Sequence, residues 1–449
     1  MSEQQKERSP DRTAVELFAG GGGLAMAVGR AGFRPLLYSE VATRACETLE
    51  ANGAKERGDE EWIPDPGGPV PLIKGDVRTL DMNYLCGKVD VLAGGPPCQP
   101  FSLGGIAKGD EDKRNMFPEM FRAVREIKPK AVICENVVGL RRKSFEPYFQ
   151  YILRELSYPY LKRDPDSTWQ EHDALLRAYD AGLRNGRVPD PSGGHELYDV
   201  VATTVNAADY GVPQIRNRVI IVAFRRDLGV DVEEFKRSVK RTHSYAALIR
   251  SMREGDYWER HRVLRGRGVP DHVRDRAISG LPKQVDLDAE EASLLPWRTF
   301  RDALAGLNGE PPLTQDLWSR LDREERYLNG VTNHIGWPGA RIYKGHTPNE
   351  LDRPAKTVKA GVHGVPGGES VMLTDDRVRD ASVPGGWTYK HRYMTVRETA
   401  RVMTFPDSWV LEGPRGEQMR QLGNAVPVLL GEFFAKAVAK ALDNARSPR

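Results

Sequence analysis

The 449 residues are 39% hydrophobic and 29% charged, enough for two or three domains with sizeable cores, and no apolar run approaches the roughly 18–20 residues of a membrane span. A net charge of +3 is too small to argue nucleic-acid binding from the total, so any such binding must come from a local basic surface. Four cysteines without a CxxC pair argue against a disulfide framework and for a reducing, cytoplasmic interior, while nine scattered histidines with no HExxH or His/Cys cluster point to no metal.

In chain order, MSEQQKERSPDR is polar and mixed in charge; it resembles neither a signal nor a transit peptide and reads as a flexible tail over 1–12. From 13 to 232, TAVELF, RPLLYS, VDVLAG, KAVICE and RVIIVAF are apolar β-type runs alternating with helical patterns. Together they predict an α/β fold on a parallel sheet. Two stretches interrupt it. Residues 51–71, rich in Gly, Pro and charge, read as a surface insertion, and 141–199 as a helix ending in a loop.

The first run opens VELFAGGGGLAMAVGRAGF (15–33), a strand, a glycine turn and a helix. Glycines there let the backbone turn tightly and bring a ligand to the helix N-terminus. Glu40 ends the next strand, where an acid can hold ribose hydroxyls. Asp76 follows a third strand candidate, PLIK, where a carboxylate can accept from an adenine amino group. Gly20 to Gly23 run together behind Phe18 with no glycine at the last place of G-x-G-x-x-G, a spacing that suits a nucleoside without pyrophosphate better than NAD. A tight turn with no ligand is the alternative.

GGPPCQPFS (94–102) displays Cys98 in a proline-stiffened loop after an apolar strand, as a nucleophilic thiol requires. A packed small hydrophobe serves for Cys46, Cys86 and Cys134 but explains Cys98 poorly. SLGGIAKGDEDKRNMF (102–117) has the glycines of a hinged loop and cations for phosphate. Glu135 follows AVIC, at a strand end where ligands of open α/β sheets sit. Arg216 and Arg218 alternate across QIRNRVI, which predicts that both share one face.

After Asp231 strand signals fade. Between Lys236 and Arg267 there are ten Lys/Arg against three acids, although 241–350 sums to nearly neutral. Residues 233–385 read as a second, smaller domain, and 386–445 as a segment returning to the first, ending in a helix with Leu430, Phe433, Phe434, Ala437, Val438 and Leu442 on one face.

In this order FAGGGG, GGPPCQPFS, ENV (135–137), QIRNR (214–218), RPAKTV (353–358) and QLGNAVP (421–427) resemble the motifs of the C5-cytosine DNA methyltransferases, bacterial and of restriction–modification type, over nearly the whole chain. The resemblance implies a Rossmann-like, S-adenosylmethionine-dependent methyltransferase sheet with a second, smaller target-recognition domain. It places Phe18, Gly20 and Gly22 around the methionine end of the cofactor, Glu40 at its ribose and Asp76 at its adenine. Pro97, Asn424 and Val426 complete that set, and the Pro97 carbonyl can also accept from the cytosine amino group. Val41 departs from the pattern, since many relatives carry an aromatic there. By the same resemblance Cys98 attacks cytosine C6, Glu135 serves N3, Arg218 reaches O2, Arg216 supports the site, and 236–352 reads the target. The implied partner is double-stranded DNA, with a cognate endonuclease acting on the same site without a stable complex. The implied protein is a monomer of the bacterial cytoplasm, held at the nucleoid by DNA. A tRNA cytosine methyltransferase, a silent nucleic-acid binder on the same fold and a dinucleotide oxidoreductase are the alternatives.

Overall fold

The computed structural model describes residues 12–58, 61–97, 115–189, 196–265, 268–283, 291, 293–306, 309–313, 327–328, 331–361 and 370–445. The chain forms two compact units. The first comprises Met1–Val205, Asn217–Lys240 and Gly431–Arg449; the second comprises Asn206–Arg216 and Arg241–Leu430. This division differs at three places from the boundaries expected above: 206–216 and 386–430 belong to the second unit, and 233–240 belongs to the first.

The first unit is built on an eight-stranded sheet. Its strands are β1 (Arg12–Leu17), β2 (Phe33–Glu40), β3 (Ala54–Glu56), β4 (Val70–Lys74), β5 (Val91–Gly94), β6 (Ala131–Val137), β7 (Tyr198–Asn206) and β8 (Asn217–Arg225), in the order β3-β4-β2-β1-β5-β6-β8-β7. The first six pair in parallel, and their centre is buried on both faces, which explains the unbroken apolar runs Val91–Ala93 and Ala131–Cys134. Helices α1 (Gly23–Arg30), α2 (Thr43–Ala51) and α3 (Phe117–Ile127) follow β1, β2 and β5. On α3, Phe117, Met120, Phe121, Val124 and Ile127 repeat at helical spacing and are buried together.

Three features differ from the sequence reading. RVIIVAF, expected parallel, is β8 and runs antiparallel to β6. The link from β7 spans only Ala207–Arg216, too short for the crossover helix that a parallel neighbour needs. The 51–71 stretch contributes an edge strand, β3, before its loop. The 141–199 stretch holds two helices, α4 (Glu146–Ser157) and α5 (Trp169–Arg184), and not one. Thr168 starts α5 with a reciprocal capping box to Glu171. Helix α6 (Val232–Ser238) also belongs to this unit.

The second unit contains helices α7 (Tyr245–Glu254), α8 (Asp256–Arg265), α9 (Asp271–Ser279), α10 (Phe300–Ala305), α11 (Val396–Val402) and α12 (Arg415–Asn424). A two-stranded antiparallel ribbon, β9 (Val371–Arg379) and β10 (Trp387–Tyr393), lies among them. Buried charge is part of the second unit's core. Arg301 is fully buried and forks onto Asp352 at 2.6 and 2.8 Å and onto Asp375 at 2.8 and 2.7 Å, with the Tyr257 hydroxyl donating to Asp352 at 2.9 Å. Such a set is tolerable in a core because every charge is paired. Residues 386–430 join this unit through similar bonds. Arg397 donates to Thr332, Pro406 and Trp409, and Arg401 to Asp407 and the Pro311 carbonyl. Helix α13 (Val428–Asp443) starts in the second unit and enters the first at Gly431.

Candidate active site

At the end of β1 the backbone turns through three positive-φ residues, Phe18 (58°), Gly20 (54°) and Gly22 (86°), the last being the N-cap of α1. A phenylalanine in that region is strained, a cost typical of functional turns. Glu40, at the end of β2, braces the turn: its Oε2 accepts from the Gly20 N–H at 2.7 Å, and its Oε1 from the N–H groups of Val41 (2.9 Å) and Ala42 (2.7 Å). Next to it Val41 is 71% exposed. Asp76 follows β4 and forks onto Arg78 at 2.9 and 3.0 Å, an ion pair that lowers its pKa to about 2. Glu40 and Asp76 therefore sit at successive strand ends as carboxylates already hydrogen-bonded to the protein.

A residue that sequence reasoning missed lies behind the turn. Glu16, the last but one residue of β1, is 3% exposed. Burial pushes its carboxyl well above the usual range; the Ala25 N–H in the first turn of α1 opposes this, and the Glu40 carboxylate adds to it. Among the described residues its Oε2 has no hydrogen-bond partner. The available signal was an acid between Val15 and Leu17, in the apolar half of the strand RTAVEL.

Strand β5 ends in Gly94 and Gly95. A Cβ on Gly94 would lie 2.9 Å from the Leu17 carbonyl oxygen and 3.1 Å from Met120 Sδ, so only glycine lets β1 and α3 close on this strand. Beyond it the chain leads into Cys98, which lies outside the described residues, as does most of the expected 102–117 loop. The approach is well defined. Asn136 is buried on β6, and its Nδ2 donates to the Pro96 carbonyl at 3.1 Å, while the Pro97 carbonyl accepts from the Met116 N–H at 3.4 Å.

Glu135 precedes Asn136 and is 7% exposed. The β6–β8 register pairs Val137 with Arg218, which puts Glu135 diagonally across on the same face. Their side chains meet, Arg218 Nε lying 2.6 Å from Glu135 Oε1, as a close ion contact rather than an aligned hydrogen bond. Arg218 Nη1 also donates to its neighbour's carbonyl, Asn217 O, at 2.8 Å.

Arg216 is placed elsewhere. It precedes β8, belongs to the second unit and is 1% exposed. Its guanidinium donates to the carbonyls of Val358 (2.8 Å), Gly423 (2.8 Å) and Ala425 (2.9 Å). Around it the QIR and AKTV segments are zipped together. Ile215 N donates to Ala355 O at 2.9 Å, Thr357 Oγ1 to Ile215 O at 2.7 Å, and Val358 N to Gln214 Oε1 at 3.2 Å. Arg216 thus fixes the backbone on both sides of Asn424, which is exposed, while Val426 is buried.

Among the described residues no group of three or more His, Cys, Asp or Glu is arranged to hold a metal, and no helix is long and apolar enough to cross a membrane.

The chain has relatives among known proteins. The family model for the C-5 cytosine-specific DNA methylases matches residues 13–158 and 194–440, leaving out the segment that carries α5. The chain is 29% identical to the type II methyltransferase M.Eco47II of Escherichia coli over 96% of its own length and 79% of that protein. It is 27% identical to the DNA (cytosine-5-)-methyltransferase M.ApeKI of Aeropyrum pernix over 96% and 99%. In fold it resembles a putative prophage DNA modification methyltransferase of E. coli, with a TM-score of 0.52 and 18% identity over 97% of this chain and all of that one.

Proposed function

The chain belongs to the C-5 cytosine-specific DNA methylase family, and from that premise we propose how it acts as a DNA (cytosine-5-)-methyltransferase of a type II restriction–modification system. The observation that carries the reading is the Glu135–Arg218 pair. It stands one residue from Asn136, whose amide holds Pro96 in the loop leading to Cys98.

Cytosine C5 is too weak a nucleophile to react unaided. The Cys98 thiolate adds to C6, the C5–C6 π pair moves into the ring, and Glu135 delivers a proton to N3. Arg218, held beside Glu135, binds O2 and orients the ring. C5 is then an enamine-type carbon, and S-adenosylmethionine, when bound, supplies the electrophilic methyl group it takes. N3 returns its proton to Glu135, and loss of the C5 proton to a base supplies the electron pair that re-forms the C5–C6 double bond, expels the Cys98 sulfur and frees the enzyme. A duplex hides C6 within the stack, so the target base must swing out, at a cost of a few kcal/mol recovered in the pocket. Arg216 acts as a positioning residue, because its donors are spent on the carbonyls of 358, 423 and 425.

The residues present fit S-adenosylmethionine. Among the described residues no atom lies within 4 Å of the Cβ that Gly20 lacks, which leaves room at the turn beside Phe18 and Gly22. The Glu40 and Asp76 carboxylates suit ribose and adenine donors. Glu16 Oε2 is a buried acceptor without a partner, which an ammonium group would supply. Asn424 and Val426 are proposed as further contacts on the motif order alone, as is the Pro97 carbonyl. We further assign target reading to 236–352, most of which lies in the second unit. The proposed setting is a monomer in the bacterial cytoplasm, sharing its DNA site with an endonuclease without a stable complex.

Trapping on a duplex carrying 5-fluorocytosine tests the mechanism, because fluorine cannot leave as a proton and the enzyme must stay attached. A covalent complex is expected from the wild-type chain and none from Cys98→Ser; an undiminished methylation rate in that variant refutes the chemistry. Assaying tRNA beside duplex DNA separates the two polymers, and bisulfite sequencing of DNA from expressing cells gives the target.

A further inference from the structure

The ribbon β9–β10 lies beyond the 236–352 stretch assigned to target reading, and its outer half is built in an unusual way. Its register pairs Arg379 with Trp387 and Arg377 with Tyr389, so these four side chains share one face. Both guanidinium groups sit 4.4 Å from the centre of the Trp387 ring. The row continues inward, with Arg276 of α9 3.9 Å from the centre of the Tyr389 ring. Cation and aromatic thus alternate from the tip of the ribbon to the body of the unit.

The inner end is firmly anchored. Tyr389 Oη donates to the His272 carbonyl at 3.0 Å, His272 Nε2 meets the Asp375 carbonyl at 3.0 Å, and the Asp375 carboxylate is held by buried Arg301. The outer end is exposed: Arg377 and Arg379 face solvent and Trp387 is 37% exposed. Each carboxylate of the ribbon is committed elsewhere. Asp375 serves Arg301; Asp376 lies 3.9 Å from Lys390 Nζ; Asp380 accepts from Ser382 N at 3.0 Å and Ser382 Oγ at 2.6 Å. Among the described residues neither Arg377 nor Arg379 has a carboxylate within ion-pair distance.

Stacking one arginine on an indole is stabilising, but placing two like charges on one ring raises the local positive potential. Nothing in the ribbon relieves it, and an anion from outside would. Two residues apart on one strand, the arginines start about 7 Å from one another and project the same way, a spacing that suits successive backbone phosphates. Two-stranded ribbons of this width also enter the grooves of duplex DNA.

We propose that the β9–β10 ribbon is a second DNA-contacting surface, in which Arg377 and Arg379, held on Trp387, grip backbone phosphates of the duplex. The proposal rests on the function assigned above and adds a surface outside the region expected to read the target. Phosphate contacts carry no base information, so the contribution is the same for every sequence.

The test uses the full chain. Affinity for a fluorescent duplex is measured by anisotropy across a series of NaCl concentrations, for the wild type and for the double variant Arg377→Gln/Arg379→Gln. Loss of two phosphate contacts should make the slope of log K against log salt shallower by about two and weaken binding roughly ten- to thirty-fold near 0.15 M salt. The loss should be equal for unrelated duplex sequences, with affinity for S-adenosylmethionine unchanged. Arg377→Lys/Arg379→Lys should restore the slope, since a lysine still meets a phosphate as a point charge. Arg184→Gln/Arg187→Gln, with the same charge loss elsewhere, should leave it unchanged. A slope and affinity within twofold of wild type in a folded glutamine variant overturn the proposal, as does weakening confined to a tRNA transcript. A wild-type chain that binds duplex but never methylates it would instead refute the parent function and leave the ribbon to be judged by its slope.

Discussion

Gly423→Ala tests whether the packing around Arg216 is as tight as the structure implies. A Cβ at 423 would lie 2.2 Å from the Ala360 nitrogen, 2.3 Å from the Lys359 carbonyl carbon and 2.5 Å from Ala360 Cα. All three are backbone atoms, so no side-chain rotation relieves the clash, and one of the two segments must move by an ångström or more. Overpacking of this kind costs about 1–3 kcal/mol. Moving the 423–425 segment also lengthens the Arg216 bonds to Gly423 O and Ala425 O, each worth about 1.5–3 kcal/mol as a charge-assisted bond. Some of that returns as the guanidinium follows, so a net loss of about 3–5 kcal/mol is expected.

Gly416 in the same helix is the control, since its Cβ would meet nothing within 4 Å. Gly416→Ala should be neutral or stabilising by up to about 1 kcal/mol. Urea denaturation of both variants, followed by tryptophan fluorescence, gives the comparison. On the proposed role of Asn424, equilibrium dialysis should also show weaker S-adenosylmethionine binding by Gly423→Ala, because Asn424 moves with its neighbour. A Gly423→Ala protein within 1 kcal/mol of wild type would refute the claimed crossing of the two segments.

Three further outcomes are expected. Glu135→Gln keeps the shape and removes the proton donor, so single-turnover methylation should fall about 10²–10⁴-fold while S-adenosylmethionine affinity holds; a loss below threefold excludes Glu135 from proton transfer. Glu16 has a folded pKa raised above its unfolded value, so its contribution is present at low pH and lost as pH rises. Glu16→Gln should therefore be more stable than wild type at pH 8, by thermal melting, and should bind S-adenosylmethionine more weakly; equal binding removes Glu16 from the pocket. His243 is the opposite case: burial, and to a lesser degree Arg298, depress its pKa from 6.5 to about 4. The unfolded chain takes up that proton first, so stability should fall between pH 6.5 and 4 by about 2 kcal/mol after allowance for partial hydration. His243→Gln should flatten that part of the unfolding profile.

The parallel strands were legible because a strand buried on both faces needs an unbroken apolar run. The strands that escaped notice carry other signatures. YDVVATTVN lies at the sheet edge and mixes polar with apolar residues, while LTDDRVR and WTYKHRY form a ribbon whose faces hold charges and rings. At the site, motifs made of neighbours in sequence could be read, and contacts between distant segments could not. Alternation suggested that Arg216 and Arg218 share a face, yet β8 begins at Asn217, and the two-residue period does not extend before a strand starts. Arg216 is free to turn inward there, toward carbonyls 142, 207 and 209 residues away.

The same burial explains why summed charge was a poor guide to the DNA-binding face. A positive residue counts toward an external field only if its charge is not neutralised within the protein. In the second unit Arg301 is shared by Asp352 and Asp375, Arg392 is paired with Glu398, and Arg401 with Asp407, the three arginines all buried. These arginines and their acids cancel whatever the totals say. Arg397, equally buried, spends its donors on Thr332, Pro406 and Trp409. What remains for a phosphate is decided residue by residue, by exposure and by the absence of an acid nearby. By that criterion a strongly cationic edge arises wherever exposed arginines lack an acid nearby, as with Arg377 and Arg379, each 4.4 Å from the centre of the Trp387 ring.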